Sequence, residues 1–242
     1  MNGKKYRIAL AGNPNTGKST LFNQLTGLRQ HTGNWPGKTV AQSKGYFEHK
    51  NEEFEIIDLP GTYSLIANSM DEEIARNYIA FEQPDVTVVV LDATSLERNL
   101  NIALQVLEIT DKAVICLNLI DEAAKKGIEI SEAKLQKKLG VPVVKISARN
   151  KVGISSLLDA VLSVVKGLLP LSPYKLEYSA EIEERIEALI PDIQSIYGSH
   201  LPARWIALRL LEGDERIIDE LNVKLLNEKK GGQSYEFASG EY

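Results

Sequence analysis

The sequence predicts an α/β fold, a mostly parallel sheet of six or seven strands flanked by helices, with a C-terminal all-helical appendage. Three observations carry this. Apolar, β-rich runs alternate with helical patterns over the first 166 residues, as in βα units wound on a parallel sheet. Two runs, "VTVVVLD" and "AVICLN", are apolar on both faces, as strands covered by helices on each side must be. After "LLPLSPYK", with its two prolines and a serine, no strand pattern recurs.

In order, Tyr6–Ala11 opens the sheet and Lys18–Thr26 forms the first helix. The strands Val40–His49 and Phe54–Leu59 meet through "NEE" and read as an edge hairpin. Helix Asp71–Phe81 leads to strand Asp85–Leu91, helix Ser95–Thr110 to strand Ala113–Leu117, and helix Ser131–Leu139 to strand Val143–Ile146. Helix Gly153–Lys166 closes the α/β domain, residues 1–168. "AEIEERIEALIPDIQSIY" and "PARWIALRLLEGDERIIDELNVKLL" have apolar residues at helical spacing, punctuated by Pro191, Pro202 and Gly213. They form a helical domain over 174–228, and the polar, Gly-rich 229–242 reads as a frayed tail.

Composition excludes several classes. The 242 residues are 43% hydrophobic and 25% charged, ample for a packed core. No apolar run reaches the roughly 18 residues of a membrane span, and no signal peptide is expected at the N-terminus. The single cysteine, Cys116, lies in an apolar run, reads as a small buried hydrophobe and fits a reducing cytoplasm. Residues 171–242 hold 8 Lys+Arg against 14 Asp+Glu. An acidic appendage repels phosphate backbones, so no nucleic-acid partner is expected.

Chemistry concentrates behind the first strand. In "GNPNTGKST", Gly12, Gly17, Lys18 and Ser19 satisfy G-x-x-x-x-G-K-[ST] between a strand and a helix. Glycines let successive N–H groups of Asn13, Pro14's neighbours, Asn15 and Thr16 converge on one anion, and the helix start at Ser19 and Thr20 adds its partial positive charge. Lys18 is expected on the β- and γ-phosphates and the Ser19 hydroxyl on Mg²⁺. "DLPG" ends the third strand, where Asp58 can hold Mg²⁺ through water and the Gly61 N–H can meet a γ-phosphate. "NLID" places Asn118 and Asp121 after the fifth strand, and a carboxylate at Asp121 can accept from guanine N1–H and the N2 amine. "SAR" closes the sixth strand with Ser147, Ala148 and Arg149, where the Ala148 N–H can donate to guanine O6. Together these favour GTP over ATP and predict a P-loop GTPase fold.

Phosphate loop, DLPG, NLID and SAR, in that order, resemble the translation-factor-related GTPases. "GNPNTGKSTLFNQLTG", "HTGNWPGKTV", "DLPGTYSL" and "RWIALRLLEGD" are similar to the N-terminal cytosolic G-protein region of bacterial ferrous iron transport protein B, over nearly the whole chain. That resemblance implies a GTP-hydrolysing regulatory domain with a GDI-like helical domain, at the cytoplasmic face of the bacterial inner membrane. It implies the membrane permease portion of the same polypeptide as partner, with accessory iron-transport proteins and an oligomer left open. No permease follows here, so the chain is expected to be a soluble fragment. The first switch maps to about Gln30–Val40, with Thr39 closing on Mg²⁺ and the γ-phosphate, and the second switch starts at Asp58. Leu119 stands where many GTPases have Lys, and Thr62 where many have a water-orienting Gln.

With no such Gln, charge between the β- and γ-phosphates needs another neutralising group. The Asn15 amide oxygen suits a monovalent cation, which carbonyls of Gly33, Asn34 and Trp35 could cap. The resemblance agrees, implying K⁺ activation. A non-catalytic nucleotide sensor and a soluble ribosome- or RNA-associated GTPase are the alternatives. Of the remaining residues, Trp35 reads equally as partner-facing or nucleotide-facing, and Trp205 as helix-packing core. Arg29 reads as an exposed salt-bridging arginine, and His31, His49 and His200 as solvated or capping histidines.

Overall fold

Strands β1 (Lys5–Gly12), β2 (Gln30–Asn34), β3 (Ala41–His49), β4 (Glu52–Asp58), β5 (Val86–Asp92), β6 (Ala113–Asn118) and β7 (Val143–Lys145) form one sheet, ordered β2-β3-β4-β1-β5-β6-β7. The computed structural model describes residues 5–66 and 68–229, and the chain divides into two units, Met1–Leu176 and Glu177–Tyr242. Strand β3 is antiparallel to both its neighbours, and every other pairing is parallel. Chain order reverses at β1, between β4 and β5, and ligands of such sheets bind outside the strand ends at that switch point.

All six residues of β6 are buried, and so are six of the seven in β5. Helices therefore cover both faces. Leu21 and Phe22 of α1 (Lys18–Thr26) and Leu157, Val161 and Val164 of α6 (Ile154–Val165) share one core with Ile8, Leu10, Ile56, Val88 and Val114. Helix α3 (Leu96–Ile109) packs on β1, β5 and β6 through a stripe that includes Ile102, Ala103, Val106 and Leu107. Cys116 is fully buried in this core, and burial pushes its thiol pKa up.

Several elements depart from the expected ones. Strand β2 was not expected, because all five of its residues are exposed and carry no apolar alternation. It makes β2 the sheet's edge, so the β3–β4 hairpin lies one place further in. That hairpin turns at Lys50 and Asn51, both left-handed (φ 50° and 63°), as a two-residue turn between twisted strands requires. The helix expected over 71–81 is α2 (Met70–Asn77) followed by a π-helical turn, Tyr78–Glu82. Ser69 caps α2 by accepting from the Glu72 N–H at 3.2 Å, and Glu72 reaches back to the Asn68 N–H at 2.8 Å. A 3₁₀ turn, Ala93–Ser95, precedes α3. The short α4 (Ile120–Lys125), six residues without an apolar stripe, was also not expected. Helix α5 (Glu132–Leu139) follows the expected span to within a residue.

The second unit contains α7 (Ala180–Tyr197), α8 (Ala203–Leu211) and α9 (Glu215–Lys229). Pro191 lies inside α7 rather than ending it. An interior proline costs about 3 kcal/mol, and buried Ile186 and Ile193 anchor the helix on either side of it. Trp205 of α8 is buried, as expected of a packing residue. The polar tail expected over 229–242 lies, from residue 230 onward, outside the described residues.

Helices α7 and α8 are joined by Arg204, which grips both oxygens of Glu183 at 2.6 and 2.9 Å, while the Tyr178 N–H donates to Glu183 at 3.0 Å. The Arg204 guanidinium and that N–H hold the carboxyl pKa down at about 2, from an ordinary 4.5. A depressed carboxyl stabilises the fold above its unfolded pKa and loses that contribution as pH falls through its folded one. The stability difference between the chain and a Glu183→Gln variant is therefore expected to be full above about pH 4.5, to shrink as pH falls, and to lose its pH-dependent part below about pH 2. Thermal unfolding followed by circular dichroism across that range checks it; a pH-independent difference would contradict the assignment.

Candidate functional site

The loop from Gly12 to Lys18 leaves β1 at the switch point and turns into α1. Two of its glycines are dictated by contact. A Cβ on Gly12 (φ 151°) would lie 2.3 Å from the Val90 carbonyl oxygen, and one on Gly17 (φ 82°) would lie 2.3 Å from Asn118 Nδ2. Asn15 is left-handed too (φ 65°), an uncommon conformation for a residue with a side chain. The loop walls a cleft of about 520 Å³ lined by Asn13, Pro14, Asn15, Gly17, Lys18, Ser19, Thr20 and Gly61, within the size range of small-molecule sites.

The residues expected to begin the second switch enter this cleft from the end of β4. The Leu59 N–H donates to Leu10 O at 3.0 Å and the Thr62 N–H to Gly12 O at 3.2 Å, stitching DLPG to β1. Gly61 passes so close to Pro14 that an added Cβ would meet its Cα at 3.3 Å. Lys18 Nζ pairs with Asp58 Oδ1 and donates to Leu59 O at 2.5 Å, and Ser19 Oγ donates to Asp58 Oδ2 at 3.3 Å. An ammonium, a hydroxyl and a carboxylate thus converge at the mouth of the loop. The Thr62 hydroxyl, by contrast, donates to Ser64 O at 2.8 Å within its own turn.

Asn118 ties this loop to the base-side loops. Its Nδ2 donates to Thr16 O at 2.8 Å, and its Oδ1 accepts from the Ala148 N–H at 3.0 Å. It is 1% exposed, so both bonds form out of water. The Ala148 N–H, expected to be able to donate to guanine O6, here serves the Asn118 amide. Next to Asn118, Leu119 is left-handed (φ 64°) and starts α4, which brings Asp121 round to the loop that holds Ser147. Burial opposes ionisation of Asp121, but the neighbouring Ser147 hydroxyl, the N–H groups of Asp121 and Glu122 and the Lys125 charge outweigh it, so its pKa is lowered. One oxygen, Oδ2, accepts from Asn150 Nδ2 at 2.9 Å; the other, Oδ1, is buried without a partner. Arg149 is exposed.

The first-switch residues are held elsewhere. Gly33 and Asn34 pair with Gln42 and Ala41 in the β2–β3 ladder, and Thr39 is exposed. None of these lines the cleft; the ladder keeps Gly33 and Asn34 extended along the sheet edge, and Thr39 lies in the connection between its two strands. Trp35, expected to face a partner or nucleotide, is buried edge-on against Tyr78 with ring centroids 5.5 Å apart. Lys38 pairs with Glu73 of α2 at 2.8 Å. Arg29 makes the expected exposed contact, with Glu48 at 3.4 Å, and His49 meets Asp159 at 2.6 Å. Asn150 and Tyr78 escaped the sequence reading; neither belongs to a spaced motif.

A phosphate loop at the switch point of this sheet, with DLPG on one side and an Asn–Asp pair on the other, defines the P-loop GTPase fold. The chain belongs to the ferrous iron transport protein B family: the model of that name matches residues 6–161, and the FeoB cytosolic helical domain matches 178–236. The Fe(2+) transporter FeoB of Methanocaldococcus jannaschii is 46% identical over 235 residues, 94% of this chain and 34% of that protein. The Fe(2+) transport protein A/Fe(2+) transporter FeoB fusion protein of Porphyromonas gingivalis is 41% identical over 220 residues, 89% and 26% of the two chains. The chain thus spans about a quarter to a third of the length of these curated relatives. Among solved structures, the cytosolic domain of T. maritima FeoB in GDP form I superposes with a TM-score of 0.82 at 33% identity, covering 99% of this chain and 89% of that one. Its GMPPNP form gives 0.81 at 34% identity, covering 97% and 88%.

Removing the Asn118 side chain leaves the Thr16 carbonyl and the Ala148 N–H without partners. Asn118→Ala is expected to lower stability by about 2–4 kcal/mol, one unmade buried bond at each end. Denaturant unfolding measures this; a change under about 0.5 kcal/mol, the level of an ordinary surface substitution, would contradict the role.

Proposed function

We propose that the chain is the GTP-binding and GTP-hydrolysing regulatory portion of a ferrous iron transporter, working at the cytoplasmic face of the cell membrane. The carrying observation is Asp121: a carboxylate kept ionised, with a buried, unpartnered oxygen, tied through Asn118 to a phosphate loop. An acceptor-only group suits the two-donor edge of guanine and meets no matching pair of donors on adenine. The GDP and GMPPNP forms of the T. maritima cytosolic domain support the same class of ligand.

In this reading the loop N–H groups cradle the phosphates, with Asn13, Pro14, Asn15, Thr16, Gly17 and Thr20 shaping the cradle. Lys18 exchanges Asp58 for phosphate oxygen. Ser19 and Asp58 fit Mg²⁺, since a hydroxyl and a carboxylate are the hard oxygen donors it prefers; when bound, Mg²⁺ neutralises charge on the β- and γ-phosphates. The Gly61 N–H meets the γ-phosphate. Asn15, which lines the cleft, would offer its amide oxygen to K⁺, and the carbonyls of Gly33 and Trp35 would join it only after the first switch leaves the sheet edge. Thr39 makes the same journey to reach Mg²⁺ and the γ-phosphate. Switch state then passes to the membrane portion of the parent protein. The Thr62 hydroxyl's engagement with Ser64 favours, as a second reading, a nucleotide sensor with negligible turnover.

Base reading is tested with Asp121→Asn, whose amide offers a donor where guanine also donates. GDP affinity is expected to fall at least about tenfold, the value of one charged hydrogen bond, while XDP affinity rises. Unchanged GDP binding in a labelled-nucleotide titration would overturn the assignment.

Turnover is tested by single-turnover phosphate release in K⁺ and in Na⁺ at matched ionic strength. K⁺ is expected to accelerate hydrolysis at least about tenfold, as a charge-stabilising group at the phosphates should, and Asn15→Ala to remove that response while retaining GDP. Equal rates in both salts would refute the K⁺ role, and no release in either would leave the sensor reading.

A further inference from the structure

Asn150 belongs to none of the nucleotide-binding motifs, yet its Nδ2 lies 2.9 Å from Asp121 Oδ2. The polarity of that bond is set by chemistry: an ionised carboxylate only accepts, so the Asn150 amide must donate. The loop holding Asn150 is closed on itself. Ser147 and Val152 exchange two backbone hydrogen bonds at 3.1 Å, the Asn150 N–H donates to Ser147 Oγ at 3.4 Å, and Lys151 is left-handed (φ 59°). Asn150 is therefore aimed by its backbone.

An aspartate's outer torsion is broad, so a carboxylate held at one end only would turn. To read guanine with both oxygens, it must lie in the plane of the base. Leu119, beside it, donates no side-chain hydrogen bond. We propose that Asn150 is a positioning and specificity residue for guanine, clamping Asp121 by one lone pair of Oδ2. In that arrangement the other lone pair of Oδ2 would take the N2 amine, and Oδ1, which has no hydrogen-bond partner here, would take N1–H. This rests on Asp121 being the base reader.

The distinguishing probe is inosine diphosphate, which keeps N1–H and lacks the N2 amine. Titrating the full chain with GDP and IDP, Asn150→Ala and the near-isosteric Asn150→Asp, which cannot donate when ionised, are each expected to lose about tenfold in GDP affinity. IDP affinity should fall much less, so the GDP/IDP ratio collapses, and Asn150→Gln, which retains the donor, should recover part of it. In an Asp121→Asn background, Asn150→Ala should change nothing. Equal losses for GDP and IDP would show a merely structural loop residue, and unchanged GDP affinity would show no role; either overturns the proposal. If Asp121→Asn shifts base preference while the Asn150 variants do not, only the clamp fails. If Asp121→Asn also leaves preference unchanged, the base-reader assignment fails with it.

Discussion

The site depends on one buried amide. Asn118 satisfies its donor on the phosphate loop and its acceptor on the loop after β7, and a group this buried cannot trade either bond for water without a cost of about 1–3 kcal/mol. The two bonds thereby set the distance between the phosphate loop and the loop after β7, which carries Ser147 and Asn150 beside Asp121. Neighbouring features follow from the same amide. Gly17 has no side chain because Asn118 Nδ2 occupies that space. Leu119 adopts a left-handed conformation directly after Asn118, and α4 begins there.

That arrangement also explains which parts were legible in the sequence. The parallel core was readable because burial on both faces forces unbroken apolar runs, as in β5 and β6. The phosphate loop was readable because anion binding restricts residue type at fixed spacing. Strand β2 was not, since an exposed edge held by backbone pairing puts no demand on its side chains. Six-residue α4 is too short to show a period, and Pro191 misled because the packing of Ile186 and Ile193 overrides a local preference. The bond from Ala148 to Asn118 was not readable either, because it joins residues thirty positions apart. Asn150 gave no signal, because its role arises only once two loops meet.

The first switch shows the same contrast between motif and packing. Trp35 in a Pro–Gly loop reads as partner-facing or nucleotide-facing, yet it lies buried against Tyr78, at the head of the π-helical turn that follows α2. Lys38 adds a partly exposed pair to Glu73 on the same helix. The segment expected to visit the nucleotide is therefore fastened to the element that follows the second switch.

The strength of that fastening bears on how the switches could work together. An edge-on aromatic pair contributes about 0.5–1.5 kcal/mol beyond burial, and an ion pair this exposed about 0–1 kcal/mol. The β2–β3 ladder faces solvent along β2, so water replaces much of what its opening loses. Burial of the Trp35 ring adds about 1.5–3 kcal/mol, so a fastening of that order shifts a two-state equilibrium by roughly two to four powers of ten. A ligand that gains more than this from Thr39 and the carbonyls of Gly33 and Trp35 overcomes it, and one making no such contacts does not. GTP and GDP differ in the γ-phosphate that Thr39 is proposed to approach. Because Trp35 rests on the π-helical turn and Lys38 on α2, which are continuous in the chain, release of the first switch in the proposed cycle would also uncover a face of that helix.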